Sequence, residues 1–509
     1  MLPDISWTEV FALLIQWDIL LFISLGVLIG LTVGVIPGMT ATMGLALVLP
    51  FTFRLNLYQS VALLIGIYKA SMFGGSISAI TFGTPGTPAA VLDVLDGFAL
   101  TKKGQANKAL QLSLYASLIA DVGSDLVLLG IVGPLAILAL AFGPREMFFL
   151  MLVAFTTVLM FVRVSPLRGF VSLLIGVFIA LIGADVITGV PRFAFDIPQL
   201  VGGIDLLPFL VGLFAFSEIL LKSMTVIKQQ KVKEKTEIFS FNKKLGGRNL
   251  SIKELLSCYR EIVIGWATGT FLGILPGPGA VLSAYTSYAF AKRFSPKRKD
   301  FGKGALEGLA AAEAGNSATC GATLIPLFAL GIPGSAMAAL FAGAFMMQGI
   351  TPGPSILRDT PQVMYTILML IIFANIFHLV IAKLLIPLYV SLAYLPFYIM
   401  IPFLGIFAIF GTYAYQNSPF QVLIMILAGV LGYWMKAFNF PLEPTLVGFI
   451  LTPMIEANLR RSLLLARGDI RYFFQSPLAV CLFILIIIIT FLLIWQEQKK
   501  NPIETISKV

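Results

Sequence analysis

Four short stretches interrupt apolar runs with proline and glycine, and each carries groups that could hold an anion. They are Pro37-Gly38 with Thr40 and Thr42, Thr84-Pro85-Gly86-Thr87, Pro276-Gly277 with Gly279, and Pro333-Gly334-Ser335. Proline removes a helical hydrogen bond and glycine loosens the backbone, so a helix breaks at such a pair. In lipid an unpaired backbone group is costly, so the break persists only where protein or a wet cavity satisfies it. A broken helix offers free N–H groups and a positive dipole end, which suit a carboxylate. Its free carbonyls suit a cation such as sodium. These residues are expected to form one substrate site near a pseudo-twofold axis. The competing reading gives the glycines a close-packing role only.

Charged residues inside apolar runs are the second group. Lys69 lies in "LLIGIYKASMFGGS", and an intramembrane lysine usually marks a pathway or a paired charge. Several readings stand open for it: contact with a substrate carboxylate, standing where a cation would bind, an ion pair with Asp121 or Asp125, or snorkelling to the interface. Glu313, Asn316 and Ser317 share one helix face. With Thr319 they form a candidate cation site for sodium or a proton, or else a packing cluster. Glu307 is expected to pair with the nearby basic loop, and Asp96 to cap or turn the chain with Gly97 rather than ligate directly. The single histidine, His378, is expected to be packed and hydrogen-bonded. Cys258, Cys320 and Cys481 are far apart and form no CxxC, so neither a disulfide framework nor a transition-metal site is expected.

These residues need helices to position them. The chain of 509 residues is 58% hydrophobic and 12% charged, whereas soluble domains are nearer a quarter charged. Runs such as 169–184, 362–382 and 477–495 approach or reach the roughly twenty residues that span a bilayer. The expected fold is an all-α polytopic membrane protein with roughly ten to twelve hydrophobic segments, by the same length criterion. The net charge of +10 does not point to nucleic acid, because 16 of the 35 Lys and Arg lie between Lys222 and Lys303. That clustering is the signature of cytoplasmic loops. The N-terminus has no basic leader, so no cleavable signal peptide is expected.

The breaks repeat. Gly26, Gly30, Gly34, Pro37 and Gly38 match Gly265, Gly269, Gly273, Pro276 and Gly277 at an offset of 239 positions. Gly83, Pro85 and Gly86 match Gly331, Pro333 and Gly334 at an offset of 248. Residues 1–53 carry no Lys or Arg, while the equivalent stretch of the second half is flanked by them on both sides. The halves are therefore expected to enter the membrane from opposite faces, as inverted-topology repeats. Each opening stretch is too long for one span and reads as a helical hairpin with Pro-Gly near its turn. Spans near 110–132, 146–161, 169–189 and 203–221 then put Arg192 outside. Arg460, Arg461, Arg467 and Arg471 read as cytoplasmic. The expected organisation is a first membrane repeat (1–222), a basic cytoplasmic linker (223–258), a second membrane repeat (259–475), and a C-terminal transmembrane helix and tail (476–509).

Several stretches together resemble the large permease subunit of the tripartite tricarboxylate transporters, the TctA family. They include "GVIPGMTATMGLALVLPFTF", "GTPGTPAAVLDVLDGFALTKKGQANKAL", "AAAEAGNSATCGATLIPLFALGIPGSAMAALFAGAF" and "PTLVGFILTPMIEANLRRSLLLARGD". The resemblance covers most of residues 20–480 in family order. It implies uptake of a di- or tricarboxylate such as citrate across a bacterial inner membrane, coupled to a cation gradient, commonly sodium. It also implies two partners, a small membrane subunit (TctB-like) and a periplasmic substrate-binding protein (TctC-like). Lys69 departs from the family pattern, which favours a small residue there, and this puts strict sodium coupling in doubt. The alternatives are an anion channel, or a membrane enzyme acting on a lipid-borne substrate. No catalytic cluster is visible for the enzyme, and one histidine rules out HExxH chemistry.

Overall fold

The computed structural model describes residues 6–162, 165–185, 187–230, 248–277, 279–392 and 397–504. The core of the basic linker, 231–247, lies outside the described residues, as does Pro278. The fold is all-α. Its one strand pair among the described residues is a two-residue antiparallel ribbon, Gly183–Ala184 with Pro191–Arg192. It interrupts the stretch expected to be helical to residue 189. The first half contains α1 (Trp7–Leu14), α2 (Trp17–Val35), α3 (Ala41–Val48), α4 (Leu57–Phe82), α5 (Ala106–Leu140), α6 (Pro144–Met160), α7 (Pro166–Ala180) and α8 (Leu206–Thr225). The second contains α9 (Tyr259–Ile274), α10 (Gly279–Phe294), α11 (Leu306–Ser317), α12 (Leu324–Leu330), α13 (Ala336–Met347), α14 (Pro361–Leu392), α15 (Phe397–Gln416), α16 (Pro419–Ala437), α17 (Leu442–Ala466) and α18 (Pro477–Glu504).

Eight described helices are long and apolar enough to cross a membrane, and three apolar ones are shorter. The Pro-Gly breaks account for short pieces such as α3 and α13. α4 is the central helix, and its most apolar window is wholly buried. The outer helices α15 and α18 instead expose residues such as Phe403, Phe410, Phe491 and Trp495, which suits a lipid-facing surface.

Glycine sets the closest packing. On α2, a Cβ added at Gly26, Gly30 or Gly34 would lie 2.3, 2.5 or 2.4 Å from the carbonyl oxygens of Leu63, Ile67 and Ser71 on α4. On α9, Gly265, Gly269 and Gly273 stand in the same relation to the carbonyls of Ala311, Gly315 and Thr319, at 2.7, 2.4 and 3.5 Å. Partner positions 63, 67 and 71 map to 311, 315 and 319 at the offset of 248 that the second motif pair shows. The sequence repeat is thus a packing unit: a small-residue stripe seated on an exposed carbonyl row.

The two ends of α5 lie on opposite faces, because its 35 residues rise about 52 Å at 1.5 Å each. One face is lysine-rich. There Lys108 pairs with Glu254 at 2.6 Å, Lys297 with Glu307 at 2.6 Å, and Lys103 Nζ donates to the Lys303 carbonyl at 2.6 Å. Glu307 therefore pairs with the basic loop as expected. Asp96 serves a different purpose from the expected turn. Its Oδ1 accepts from the backbone N–H groups of Gly302, Gly304 and Ala305, each at 2.8 Å, and Tyr288 donates to Oδ2 at 2.9 Å. It ties the first half to a loop of the second.

The opposite face corrects the reading of the C-terminal arginines. Arg460 pairs with Asp185 at 2.7 Å and with Glu456 at 2.7 Å, while Arg192 grips Glu456 at 2.7 and 3.1 Å. Arg145 donates to the Tyr472 carbonyl at 3.0 Å. The segment from 460 to 472 thus shares a face with Arg192 and Arg145, away from the lysines. Counting Lys and Arg near span ends does not register that Asp185 and Glu456 draw Arg192 and Arg460 together at this face.

Candidate functional site

Each break has a local cause. α2 stops at Val35, and Gly38 takes φ +98°, a left-handed value that L side chains avoid. The chain re-enters helix at Thr40, whose Oγ1 accepts from Met43 N at 3.1 Å as an N-cap. The equivalent break runs from Ile274 through Gly277 (φ +109°) to Gly279, where α10 begins. α4 and α12 both end on a left-handed glycine, Gly83 (φ +71°) and Gly331 (φ +74°). After the latter, Ser335 Oγ caps α13 by accepting from Ala338 N at 3.1 Å.

The breaks then lock onto one another. Gly86 N donates to Gly75 O at 3.1 Å, and a Cβ on Gly86 would lie 2.1 Å from the Gly34 carbonyl. Gly277 N donates to Gly334 O at 3.1 Å. All four breaks converge on one cavity of about 540 Å³, lined by Thr40, Thr42, Thr87, Gly277, Gly279, Gly334 and Ser335 among others. That size falls in the roughly 300–1,000 Å³ range of small-molecule sites. Three helices of eight residues or more, α3, α10 and α13, start at its wall and direct positive dipole ends into it. The Thr87 hydroxyl is buried and has no hydrogen-bond partner among the described residues. Thr40 and Ser335 spend an oxygen lone pair on their own helices and keep an O–H to donate. The cavity can therefore present several donors to a multiply charged anion.

Not every expected site residue reaches the cavity. Pro37, Gly38, Pro85, Gly86, Pro276 and Pro333 shape the breaks from behind the wall. Thr84 is exposed and stands apart from the lining. Lys69 is the clearest departure from a substrate role. Tyr68 and Met72 of α4 line the cavity, but Lys69 points elsewhere, to Asp121 at 2.8 Å and Asp125 at 2.7 Å on α5. The ion-pair reading is the one the geometry carries.

The candidate cation residues divide. Ser117 Oγ donates to Glu313 Oε2 at 2.7 Å, Ser76 Oγ donates to Oε1, and Ser317 Oγ donates to Ser117 Oγ at 2.9 Å. Glu313 is fully buried at 0% exposure, and Asp93, at 1%, lies against it. Asn316 is also buried, with neither side-chain amide atom bonded among the described residues, and Thr319 donates to the Asn316 backbone carbonyl at 2.6 Å. Among the described residues no three of His, Cys, Asp and Glu gather as a metal-holding group. His378 is packed against Phe73, ring centroids 5.7 Å apart, but neither ring nitrogen finds a hydrogen bond among the described residues, so only half of its expectation holds.

Sequence reasoning missed part of the wall. Lys436 pairs with Glu218 there, and Phe440–Pro444 closes the same side. The signal was present in "AFNFPLEP", a polar and proline-rich interruption between two apolar runs without the Pro-Gly pair. A second cavity of about 380 Å³ includes Arg192, Asp205, Tyr415 and Glu456, on the face away from the lysines. α17 separates the two, with Val447 on the first and Phe449 and Ile450 on the second.

The family model described as the tripartite tricarboxylate transporter TctA family matches residues 20–447. The chain belongs to the TctA family. A protein of Agrobacterium vitis described as an uncharacterized 52.8 kDa protein in the TAR-I ttuC' 3' region is 32% identical over 441 residues, covering 87% of this chain and 86% of the relative. A second A. vitis protein, described by its place in the TAR-II ttuC' 3' region, is 38% identical over 214 residues, 42% of this chain and 88% of the relative. No solved structure matches. As a TctA-family protein, the chain is a multi-pass membrane component of a tricarboxylate transporter that works with other subunits, and it is not an enzyme.

Proposed function

We propose that this TctA-family chain imports a di- or tricarboxylate of the citrate type across a bacterial inner membrane, driven by a sodium or proton gradient. A periplasmic binding protein (TctC-like) delivers the anion, and a small membrane subunit (TctB-like) completes the carrier. The observation that carries this reading is the convergence of four helix breaks on one cavity. Three helix N-termini reach its wall, and Thr87, whose hydroxyl has no partner among the described residues, is part of that wall. Such a wall compensates carboxylate charge without burying a fixed counter-ion for each group, so the anion is held and can leave.

The mechanism is alternating access between inverted repeats. Asp18, at the start of α2, bonds Gln59 at 2.8 Å, near the break-free end of the first hairpin, while Glu254 ties the approach to α9 to Lys108 on the lysine-rich face. In this reading the opening helices of the halves start from opposite faces. The cavity at α17's other side supplies an approach from the face of Arg192, and Phe449, its ring centroid 4.4 Å from that of Phe209, lines that cavity. Movement of α17 against the break region would open one route as it closes the other.

Thr87→Val tests the site. It removes a hydroxyl and keeps the shape. A hydrogen bond to a charged group contributes about 1.5–3 kcal/mol, so the half-saturating citrate concentration should rise roughly 10- to 100-fold. Membrane abundance should stay unchanged. Unaltered half-saturation would remove Thr87 from the site.

A further inference from the structure

We propose that Lys69, Asp121, Asp125 and Asn375 form the proton site of this carrier, with the Lys69 ammonium as a tethered cation held where a metal ion would otherwise bind. The proposal deepens the reading of the chain as a gradient-driven importer and rests on it. Lys69 Nζ is surrounded by oxygens from two other helices: Asp121 Oδ1 at 2.8 Å, Asp125 Oδ2 at 2.7 Å and Asn375 Oδ1 at 3.2 Å. Three oxygens around one positive charge at these distances are the surroundings of a bound cation, and here the chain supplies that cation itself.

Charge balance supplies the proton. One ammonium offsets one of two carboxylates, and the side chains of Lys69, Asp121 and Asp125 are 0, 3 and 0% exposed. An uncompensated charge in such a place is strongly unfavourable, and neighbouring carboxyls in that position share a proton. Asp125 Oδ2 already accepts from Lys69 and from Asn375 Nδ2, the latter at 2.6 Å. Asp125 Oδ1 is buried and accepts no hydrogen bond among the described residues, and no ion pair engages it, so it is an open position for the proton. Uptake places the proton on that carboxyl, and release leaves Lys69 and the two aspartates with one net negative charge between them.

The other titratable groups facing the cluster are Tyr68 on α4, Cys320 in the 319–322 turn and His378 on α14. Glu313 of α11 meets α4 two turns further on, at Ser76. α2, also packed on α4, has its charged residue, Asp18, at its far end. Tyr68 links the cluster to the substrate cavity: its hydroxyl bonds Thr323 at 3.2 Å, and both residues line the cavity wall. A change of charge at Lys69 is therefore one residue away from the anion. The ammonium fills this pocket, so the ion taken up and released here is the proton.

Two measurements test this. The first is infrared spectroscopy of the purified full-length chain, comparing wild type with Asp121→Asn and Asp125→Asn. Wild type should show a protonated-carboxyl stretch that both variants lose, with Glu313→Gln as the control that leaves it in place. Spectra identical in that region overturn the proposal, and this arm needs no transport. The second uses vesicles carrying the assembled carrier with radiolabelled citrate. A proton gradient alone should drive accumulation and a sodium gradient alone should not. Asp121→Asn should lose accumulation while still equilibrating labelled citrate by exchange. Accumulation that requires sodium, or proton-driven accumulation that survives in Asp121→Asn, overturns it. If no carboxylate crosses at all, the importer reading fails and the infrared arm still decides the proton site.

Discussion

At the scale of single residues, the hydroxyls and helix caps of the breaks were legible because Pro, Gly, Ser and Thr announce themselves. Thr40, Thr87 and Ser335 could be named from spacing. Their neighbours could not. Lys436 and Glu218 meet from positions 218 residues apart, and Asp96 finds its partners around residue 304. No local pattern encodes such a meeting. Ser335 carries a prediction of its own. Ser335→Ala removes the cap of α13, a loss of about 1 kcal/mol, together with a donor at the cavity. Ser335→Thr keeps both, so it should restore the citrate half-saturation that Ser335→Ala raises. Equal impairment by both would show that the position matters for shape alone.

A half-buried pair gives a pH prediction. The Lys108 ammonium, bonded to Glu254, holds that carboxyl down at about 2 from the ordinary 4.5, helped by the Ser251 backbone N–H. A lowered carboxyl stabilises the fold above its unfolded value and loses that contribution as pH falls through the folded one. Lys108→Ala should therefore cost about 0.5 kcal/mol near neutral pH, as screened surface pairs do. The difference in melting between the variant and wild type should shrink as pH drops from 4.5 toward 2. A difference that holds constant across that window would assign the effect to packing of the lysine stem.

At the scale of elements, the glycine stripes were visible as spacing, and their packing partners were not. The offset of 239 among the stripes and 248 among the breaks reads as an insertion of nine residues. The same 248 governs which carbonyls the stripes sit on. Gly269→Val would drive a Cβ to within 2.4 Å of the Gly315 carbonyl, a backbone atom that cannot step aside. Overpacking of this kind costs about 1–3 kcal/mol or more. The variant should insert but separate α9 from α11, lowering the melting temperature and the yield of monodisperse protein. Gly130→Val on α5, where none of the described residues lies within 4 Å of the new Cβ, should behave as wild type. Comparable damage at both sites would deny the stripe its packing role. The hairpins were also legible from length. The ribbon at 183–192 was not, because its residues sit inside a run that passes for helix.

At the scale of the whole molecule, lysines located one face correctly, and arginines misplaced one segment. Arg460 and Arg192 share Asp185 and Glu456, and this fixes the 460–472 segment opposite the lysine cluster. Asp185 is held well below the usual carboxylate range, first by the Thr188 backbone N–H and then by Ile187 and Arg460, so it keeps its charge at any physiological pH. In a chain freed of native cysteines, Asp469→Cys and Lys299→Cys should react with an impermeant thiol reagent from opposite sides of the membrane. Labelling from one side would return the segment to the lysine-rich face and take α17 out of its place between the cavities.

The central claim is that the four breaks form one carboxylate site. Its most direct measurement is saturable uptake of radiolabelled citrate by cells that lack their own citrate carriers and express this chain with both partner subunits. Wild type should accumulate citrate, and the double variant Thr87→Val with Ser335→Ala should need far more of it, at equal membrane abundance. The two donors come from loops of different halves, so their joint effect reports on a shared site. Uptake by the double variant with wild-type half-saturation would contradict the account and place the substrate elsewhere.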